Sequence, residues 1–222
     1  VTVVDLVGRR ILSEVEIPGC SMTYPLAQRS FATLCGDGTM LSITLDTDGK
    51  LARTQSSQAF NNIDDDPMFM RAATTGTTAW FATFKGNLRS IDLSGSEARI
   101  GPVFALPAQT GGAPEWRPGG VGVIAADAAG RLYALMNPNG REGSHKDGGT
   151  EVWMVDPQTR TLIRRIPLPV RAVSIAATRE AQSKLAVLGI DRTLYVFDPE
   201  TGAQLRTVPS VGNSPLSLAV VP

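Results

Sequence analysis

Short runs of apolar and β-branched residues recur along the chain, and each is closed by a polar turn. Five of these runs end on an aspartate followed by turn-forming residues: Val3-Val4-Asp5-Leu6-Val7-Gly8, Ile43-Thr44-Leu45-Asp46-Thr47-Asp48-Gly49, Ser90-Ile91-Asp92-Leu93-Ser94-Gly95, Trp153-Met154-Val155-Asp156-Pro157-Gln158-Thr159 and Tyr195-Val196-Phe197-Asp198-Pro199-Glu200-Thr201-Gly202. The aspartates lie 41, 46, 64 and 42 residues apart. An aspartate carboxylate accepts hydrogen bonds from backbone N–H groups two residues on, proline presets φ, and glycine supplies positive φ. Each such turn is predicted to join the outer two strands of an antiparallel sheet.

A second strand precedes each turn. Phe31–Cys35 leads through Gly36-Asp37-Gly38 into Met40–Leu45, Ala79–Phe84 through Lys85-Gly86-Asn87 into Leu88–Leu93, and Lys184–Leu188 through Gly189–Arg192 into Thr193–Phe197. About four short strands in roughly 40–45 residues is the signature of a propeller blade. No long window shows a strong helical period. The sequence therefore predicts an all-β, β-propeller domain over residues 1–222, with four complete blades at 18–57, 58–109, 110–168 and 169–208. The outer strands of another blade precede them and a strand over Pro215–Val221 follows, so parts of two more blades are expected. Val1 reads as the inside of a strand, and the chain is expected to be N-terminally truncated. A five-bladed ring is one closure, and a truncated ring of six to eight blades fits the ragged start better.

Composition narrows the function classes. The 222 residues carry 21 basic and 21 acidic side chains, so the net charge is zero, which argues against a nucleic-acid binder. No stretch approaches the ~18 consecutive apolar residues of a membrane helix. Glycine (22) and proline (15) suit many tight turns.

Candidate chemistry is sparse. Cys20 and Cys35 flank a hairpin with its turn near Ala27 and Gln28, in a register that sets Cys20 opposite Cys35, Ser21 opposite Leu34 and Tyr24 opposite Phe31. Opposed residues lie close to disulfide geometry, so a disulfide and an oxidising compartment are predicted; two buried free thiols are the other reading. His145 is the only histidine, which rules out a histidine-rich zinc site and leaves no Ser-His-Asp set on a nucleophile elbow. Asp64-Asp65-Asp66 lacks the spacing of a calcium loop and reads as a solvated segment. The segments read as inner strands, Phe31–Leu34, Ala79–Phe84, Leu132–Met136 and Lys184–Leu188, hold almost no carboxylate or histidine. No catalytic residue and no metal site is assigned.

The 64-residue interval between Asp92 and Asp156 holds two insertions, Gln109–Gly120 and Asn137–Gly149. Loops of that length in a regular repeat serve function or an interface. Trp116, Arg117 and Pro118 in the first, and His145 and Lys146 in the second, are the candidate partner-interface residues, since Trp and Arg are enriched at interface hot spots. A Trp116 packed between blades is the competing reading, while Trp80 and Trp153 read as core.

Several of these segments together resemble the heavy, β-propeller subunit of the quinoprotein amine dehydrogenases, the methylamine and aromatic amine dehydrogenase family. They are Ile17-Pro18-Gly19-Cys20, Cys35-Gly36-Asp37-Gly38, Trp116-Arg117-Pro118-Gly119-Gly120, Gly130-Arg131-Leu132-Tyr133, His145-Lys146 followed by Glu151-Val152-Trp153, and Thr193-Leu194-Tyr195. The resemblance implies a seven-bladed propeller of which this chain lacks two to three N-terminal blades. It implies a periplasmic assembly of two heavy and two light chains that oxidises primary amines to aldehyde and ammonia. The cofactor, tryptophan tryptophylquinone, and the catalytic base belong to the light subunit, and electrons pass to a small blue copper protein. An unrelated propeller, acting as a binding scaffold or as a lactonase-like hydrolase using a channel site, is the alternative.

Overall fold

A computed structural model describes residues 1–106 and 115–220. The described residues are almost entirely strand and turn. A hairpin of β1 (Thr2–Asp5) and β2 (Arg10–Glu14) comes first. A four-stranded antiparallel sheet follows, in the order β3 (Cys20–Pro25), β4 (Ser30–Cys35), β5 (Met40–Leu45) and β6 (Leu51–Ser56). A second four-stranded sheet is formed by β7 (Ala73–Thr75), β8 (Thr78–Ala82), β9 (Asn87–Asp92) and β10 (Arg99–Ala105). The last sheet holds β11 (Arg117–Pro118), β12 (Ile124–Ala126), β13 (Leu132–Asn137), β14 (Gly149–Asp156), β15 (Thr161–Ala177), β16 (Leu185–Gly189), β17 (Leu194–Phe197) and β18 (Gln204–Val208).

The last sheet is two repeat units joined by one strand. β15 pairs with β14 through Thr161–Pro167 and again at Ala172, opposite Gly149, and with β16 through Ala172–Ala177. Pro167, opposite Glu151, ends the continuous part of the β14 ladder, and Pro169 follows it before the β16 ladder begins at Ala172. An outer strand that runs on as the first strand of the next meander is the connection of a β-propeller, and that is the fold class. Middle strands are buried on both faces; all six residues of β13 are buried. Outer strands are wet, and all six residues of β6 are exposed. Sheets so apolar in the middle require a neighbour on each face.

Contacts divide the chain into two compact units. The first comprises Val1–Met70, Thr77–Ala79 and Ser90–Pro102, with Ala32, Met40, Ile43, Ala79 and Ile91 in its core. The second comprises Arg71–Gly76, Trp80–Arg89 and Val103–Pro222, with a core that includes Phe81, Leu88, Tyr133, Leu135, Met154, Ile166 and Leu185.

The aspartate turns are built as their residues dictate. Asp5 accepts the N–H groups of Val7 and Gly8, Asp46 those of Asp48 and Lys50, and Asp92 that of Ser94. Asp156 accepts from Gln158 and Thr159, and Asp198 from Glu200 and Thr201. The same grammar serves other turns: Asp37 accepts the N–H of Thr39 and Asp191 that of Thr193. The Gly8 N–H holds Asp5 below the ordinary carboxylate range, the Ser94 N–H does so for Asp92 and the Gln158 N–H for Asp156.

Cys20 and Cys35 are directly opposed and joined by a disulfide, with Cα atoms 3.9 Å apart. Beyond them the register departs from the expected one. Tyr24 faces Ala32 rather than Phe31, because Met22 and Thr23 form a bulge opposite Thr33, with Met22 at φ 64°. Tyr24 is thereby buried, its hydroxyl donates to the Met70 carbonyl at 2.5 Å, and burial pushes its pKa up to about 12.

Two further expectations are corrected. The segments read as inner strands are the second strands of their sheets; the first strands are β3, β7, β12 and the second half of β15, and these also hold no Asp, Glu or His. Residues 215–220 form no strand. A strand needs a backbone ladder, and this segment's N–H at Leu218 instead donates to the Ser174 hydroxyl, at 3.0 Å. The part of the Gln109–Gly120 loop up to Pro114, with the expected boundary at 109–110, lies outside the described residues.

Two predictions follow from the turns and the cross-link. Cys20→Ser or Cys35→Ser should lower unfolding free energy by about 3 kcal/mol, as expected for a bridge closing a separation of 15 residues, read by urea unfolding. Asp5, Asp92 and Asp156 have lowered folded pKa values, so their contribution is fully present above about pH 4 and is lost as the pH falls through the lowered values. Thermal melts from pH 5 downward should show a fall in midpoint that Asp156→Asn makes shallower.

Candidate functional site

The loop-bearing region lies at one end of the sheet built from β13, β14 and the first half of β15, within the second unit. Arg117 pairs with Asn137 and Pro118 with Met136; Met136 faces Glu151, which faces Pro167. This register sets the Trp116 segment, both ends of the Asn137–Gly149 loop and the Arg165–Pro167 stretch side by side.

The Asn137–Gly149 loop is a folded structure. Asn137 is buried; its Oδ1 accepts the Asn139 N–H at 3.0 Å and its Nδ2 donates to the Ser144 carbonyl at 3.4 Å. Buried Ser144 donates its hydroxyl to the Arg141 carbonyl at 2.7 Å and accepts the Arg141 N–H at 3.1 Å. One turn of 3₁₀ helix, Ser144–Lys146, follows. Arg141 pairs with Asp147 at 2.9 Å, and Arg171 donates to the Asp147 carbonyl at 3.0 Å.

Backbone bonds tie this loop to the Trp116 segment. The Gly140 N–H donates to the Glu115 carbonyl at 2.6 Å, and the Gly120 N–H to the His145 carbonyl at 2.8 Å. The glycines of Trp-Arg-Pro-Gly-Gly are needed for this approach. A Cβ on Gly119 would meet the Gly148 carbonyl at 2.7 Å, and Gly120 sits at φ 134° with the Val173 carbonyl at 2.5 Å from its Cβ position.

Trp116 is buried at 9% exposure and Trp153 at 2%. Their rings meet at a centroid distance of 5.3 Å and a tilt of 45°. The Arg165 guanidinium carbon lies 4.6 Å from the Trp116 ring centre and 5.1 Å from that of Trp153. Glu151 fixes it from the side: Arg165 Nε donates to Oε2 at 2.6 Å and Nη2 to Oε1 at 2.9 Å, while the Trp153 indole N–H donates to Oε2 at 2.9 Å. Arg117 is held by Glu115, with Nε at 2.7 Å. The His145 ring stacks on Phe84 at 4.1 Å and 26°; burial, then Lys146, holds its pKa below the ordinary value against the opposing pull of Asp147. Lys146 is exposed.

A second polar cluster serves structure. Asp127, fully buried, accepts from Arg131 Nε at 2.7 Å, the Arg131 N–H at 3.0 Å and the Tyr133 hydroxyl at 2.7 Å. Arg131 also pairs with Glu200, beside Asp198. This accounts for the Gly130-Arg131-Leu132-Tyr133 motif: the arginine and tyrosine neutralise a carboxylate that burial would otherwise make costly. Burial pushes the Tyr133 pKa up, with Asp127 adding to it. Among the described residues, no group of three or more His, Cys, Asp or Glu side chains is placed to hold a metal ion.

The family model for the methylamine dehydrogenase heavy chain matches residues 1–221. The chain belongs to that family. Methylamine dehydrogenase heavy chains from Methylorubrum extorquens and Methylobacillus flagellatus are each 27% identical to it, and one from Paracoccus versutus is 28% identical. Each alignment covers 97% of this chain and 53%, 54% and 50% of the respective relative, so the chain spans about half the length of the curated relatives it matches. A solved Mycobacterium tuberculosis puromycin-hydrolyzing peptidase superposes with a TM-score of 0.54 at 15% identity, over 93% of this chain and 31% of its own, a likeness that speaks for the fold alone.

The structure brings Trp116, Arg117, Pro118, His145 and Lys146 to one end of one sheet. Glu151, on β14, enters the sequence reading only within the Glu151-Val152-Trp153 segment and without a role, and Arg165, on β15, is not singled out there. The one signal local in sequence was Glu151 two residues before Trp153; the pairing of Trp153 with Arg165 comes only from the fold.

Asn137→Ala should strip two hydrogen bonds from the loop. It should cost about 1–3 kcal/mol and expose residues 138–148 to proteolysis, read by limited digestion and mass spectrometry.

Proposed function

We propose that this chain is the scaffolding part of the heavy subunit of a periplasmic, tryptophan tryptophylquinone-dependent amine dehydrogenase. The observation that carries the reading is the heavy-chain family match along residues 1–221. In this reading two heavy and two light chains assemble, the light subunit bears the quinone and the catalytic base, and a small blue copper protein takes the electrons. A primary amine is oxidised to aldehyde and ammonia on the light subunit, and this chain carries no catalytic residue. Its contribution is to position partners. The Cys20–Cys35 disulfide supports an oxidising compartment such as the periplasm. The folded Asn137–Gly149 loop and the Trp116–Pro118 segment support a docking role, since long ordered loops on a rigid sheet are where partners bind.

Family membership leaves the reading of an unrelated propeller, whether scaffold or lactonase-like hydrolase, without support. The full-length protein, purified from its native source under non-denaturing conditions, should bring with it a small subunit whose quinone absorbs visible light and bleaches on addition of a primary amine. Purification as a colourless single chain would overturn the proposal. Trp116→Ala, which removes part of the floor under Arg165, should both weaken light-chain association, read by calorimetry, and lower the melting temperature, read by thermal melts.

A further inference from the structure

We propose that Arg165 is the group through which this end of the chain grips a carboxylate on the light subunit, with Glu151 as its positioning residue. The inference rests on the reading of the chain as a docking subunit and names the contact.

Trp116 and Trp153 are too buried to anchor a partner directly, at 9% and 2% exposure, whereas the Arg165 side chain is 44% exposed. The two indoles are the floor on which the guanidinium rests. Glu151 occupies its Nε–Nη2 edge, so the Nη1–Nη2 edge retains N–H donors, and Nη1 has no hydrogen-bond partner among the described residues. That free edge is the planar fork that matches a second carboxylate. Because stacking and the Glu151 fork already fix the side chain, little conformational freedom remains to be lost on docking.

The charges around it favour an acid. Glu115 is held by Arg117, Asp147 by Arg141 and Glu151 by Arg165. Exposed Lys146 makes no ion pair among the described residues, and exposed Glu142 is the one acid of this end in the same position. With Arg171, whose guanidinium donates to the Asp147 carbonyl oxygen, the named side chains of this end are five cations (Arg117, Arg141, Lys146, Arg165, Arg171) against four acids (Glu115, Glu142, Asp147, Glu151), and an incoming carboxylate is complementary to that excess.

The test uses the full-length heavy chain and its light subunit, with the dissociation constant measured by calorimetry at low and at moderate salt. Arg165→Leu should raise the constant about tenfold or more and flatten its salt dependence. Arg165→Lys keeps the charge without the fork; it should restore the salt dependence and only part of the affinity, an outcome that a merely structural role would not give. Glu151→Gln should weaken binding less than Arg165→Leu while leaving the salt dependence in place. If Arg165→Leu does not fold, the Lys and Gln variants carry the same comparison. Wild-type binding with unchanged constants and salt slopes in the variants would overturn the contact. No wild-type association would overturn the docking reading itself, and the contact with it.

Discussion

The structure depends on one local interaction, the aspartate carboxylate that gathers the backbone N–H groups of the turn following it. Asp5, Asp46, Asp92, Asp156 and Asp198 each close the outer hairpin of a repeat in this way. Fixing the turn fixes the register of the two strands it joins, and register decides which side chains enter the core. In the third repeat Asp156 faces Thr161, which carries Trp153 opposite Arg165 and Glu151 opposite Pro167 several residues away. A turn at one end of the sheet thus aligns the charged and aromatic groups at the other.

The ends of the sheets divide the labour. At the aspartate-turn end of the later repeats, buried Asp127 collects Arg131 and Tyr133, and Arg131 reaches Glu200 in the next repeat. Arg160, also in an aspartate turn, lies over the Phe104 ring of the preceding repeat at 5.6 Å. These side chains staple neighbouring repeats within one compact unit. The opposite end carries the insertions, and there the groups are fixed by internal bonds while the Arg165 guanidinium edge and Lys146 stay exposed. Rigid support with unsatisfied donors is the arrangement a docking surface needs.

Much of the fold was legible because its signals are local. The aspartate turns, the paired strands before them and the Cys20–Cys35 opposition depend on residues close in sequence. What escaped depends on backbone or partner choices that composition does not encode. The Met22–Thr23 bulge moved Tyr24 off its expected partner, since two residues can oppose one wherever the chain accepts a positive φ. Residues 215–220 alternate like a strand but join no ladder among the described residues. At the candidate site, the sequence singled out Trp116 and the His145 loop by their unusual residues, yet the exposed group over the tryptophan pair is Arg165. Its role comes from a cross-strand neighbour and from Glu151, 14 residues earlier, and a lone arginine in a strand gives no hint of either.

The proposed seat of the light subunit is the set of loops at the end of the β13–β14–β15 sheet. Hydrogen–deuterium exchange of the full-length heavy chain, with and without that subunit, tests it most directly. Docking there slows exchange in residues 116–120, 137–149 and 161–171, with little change at the Asp127–Arg131 cluster. Protection confined to the aspartate-turn end, with those three segments unaffected, would contradict it.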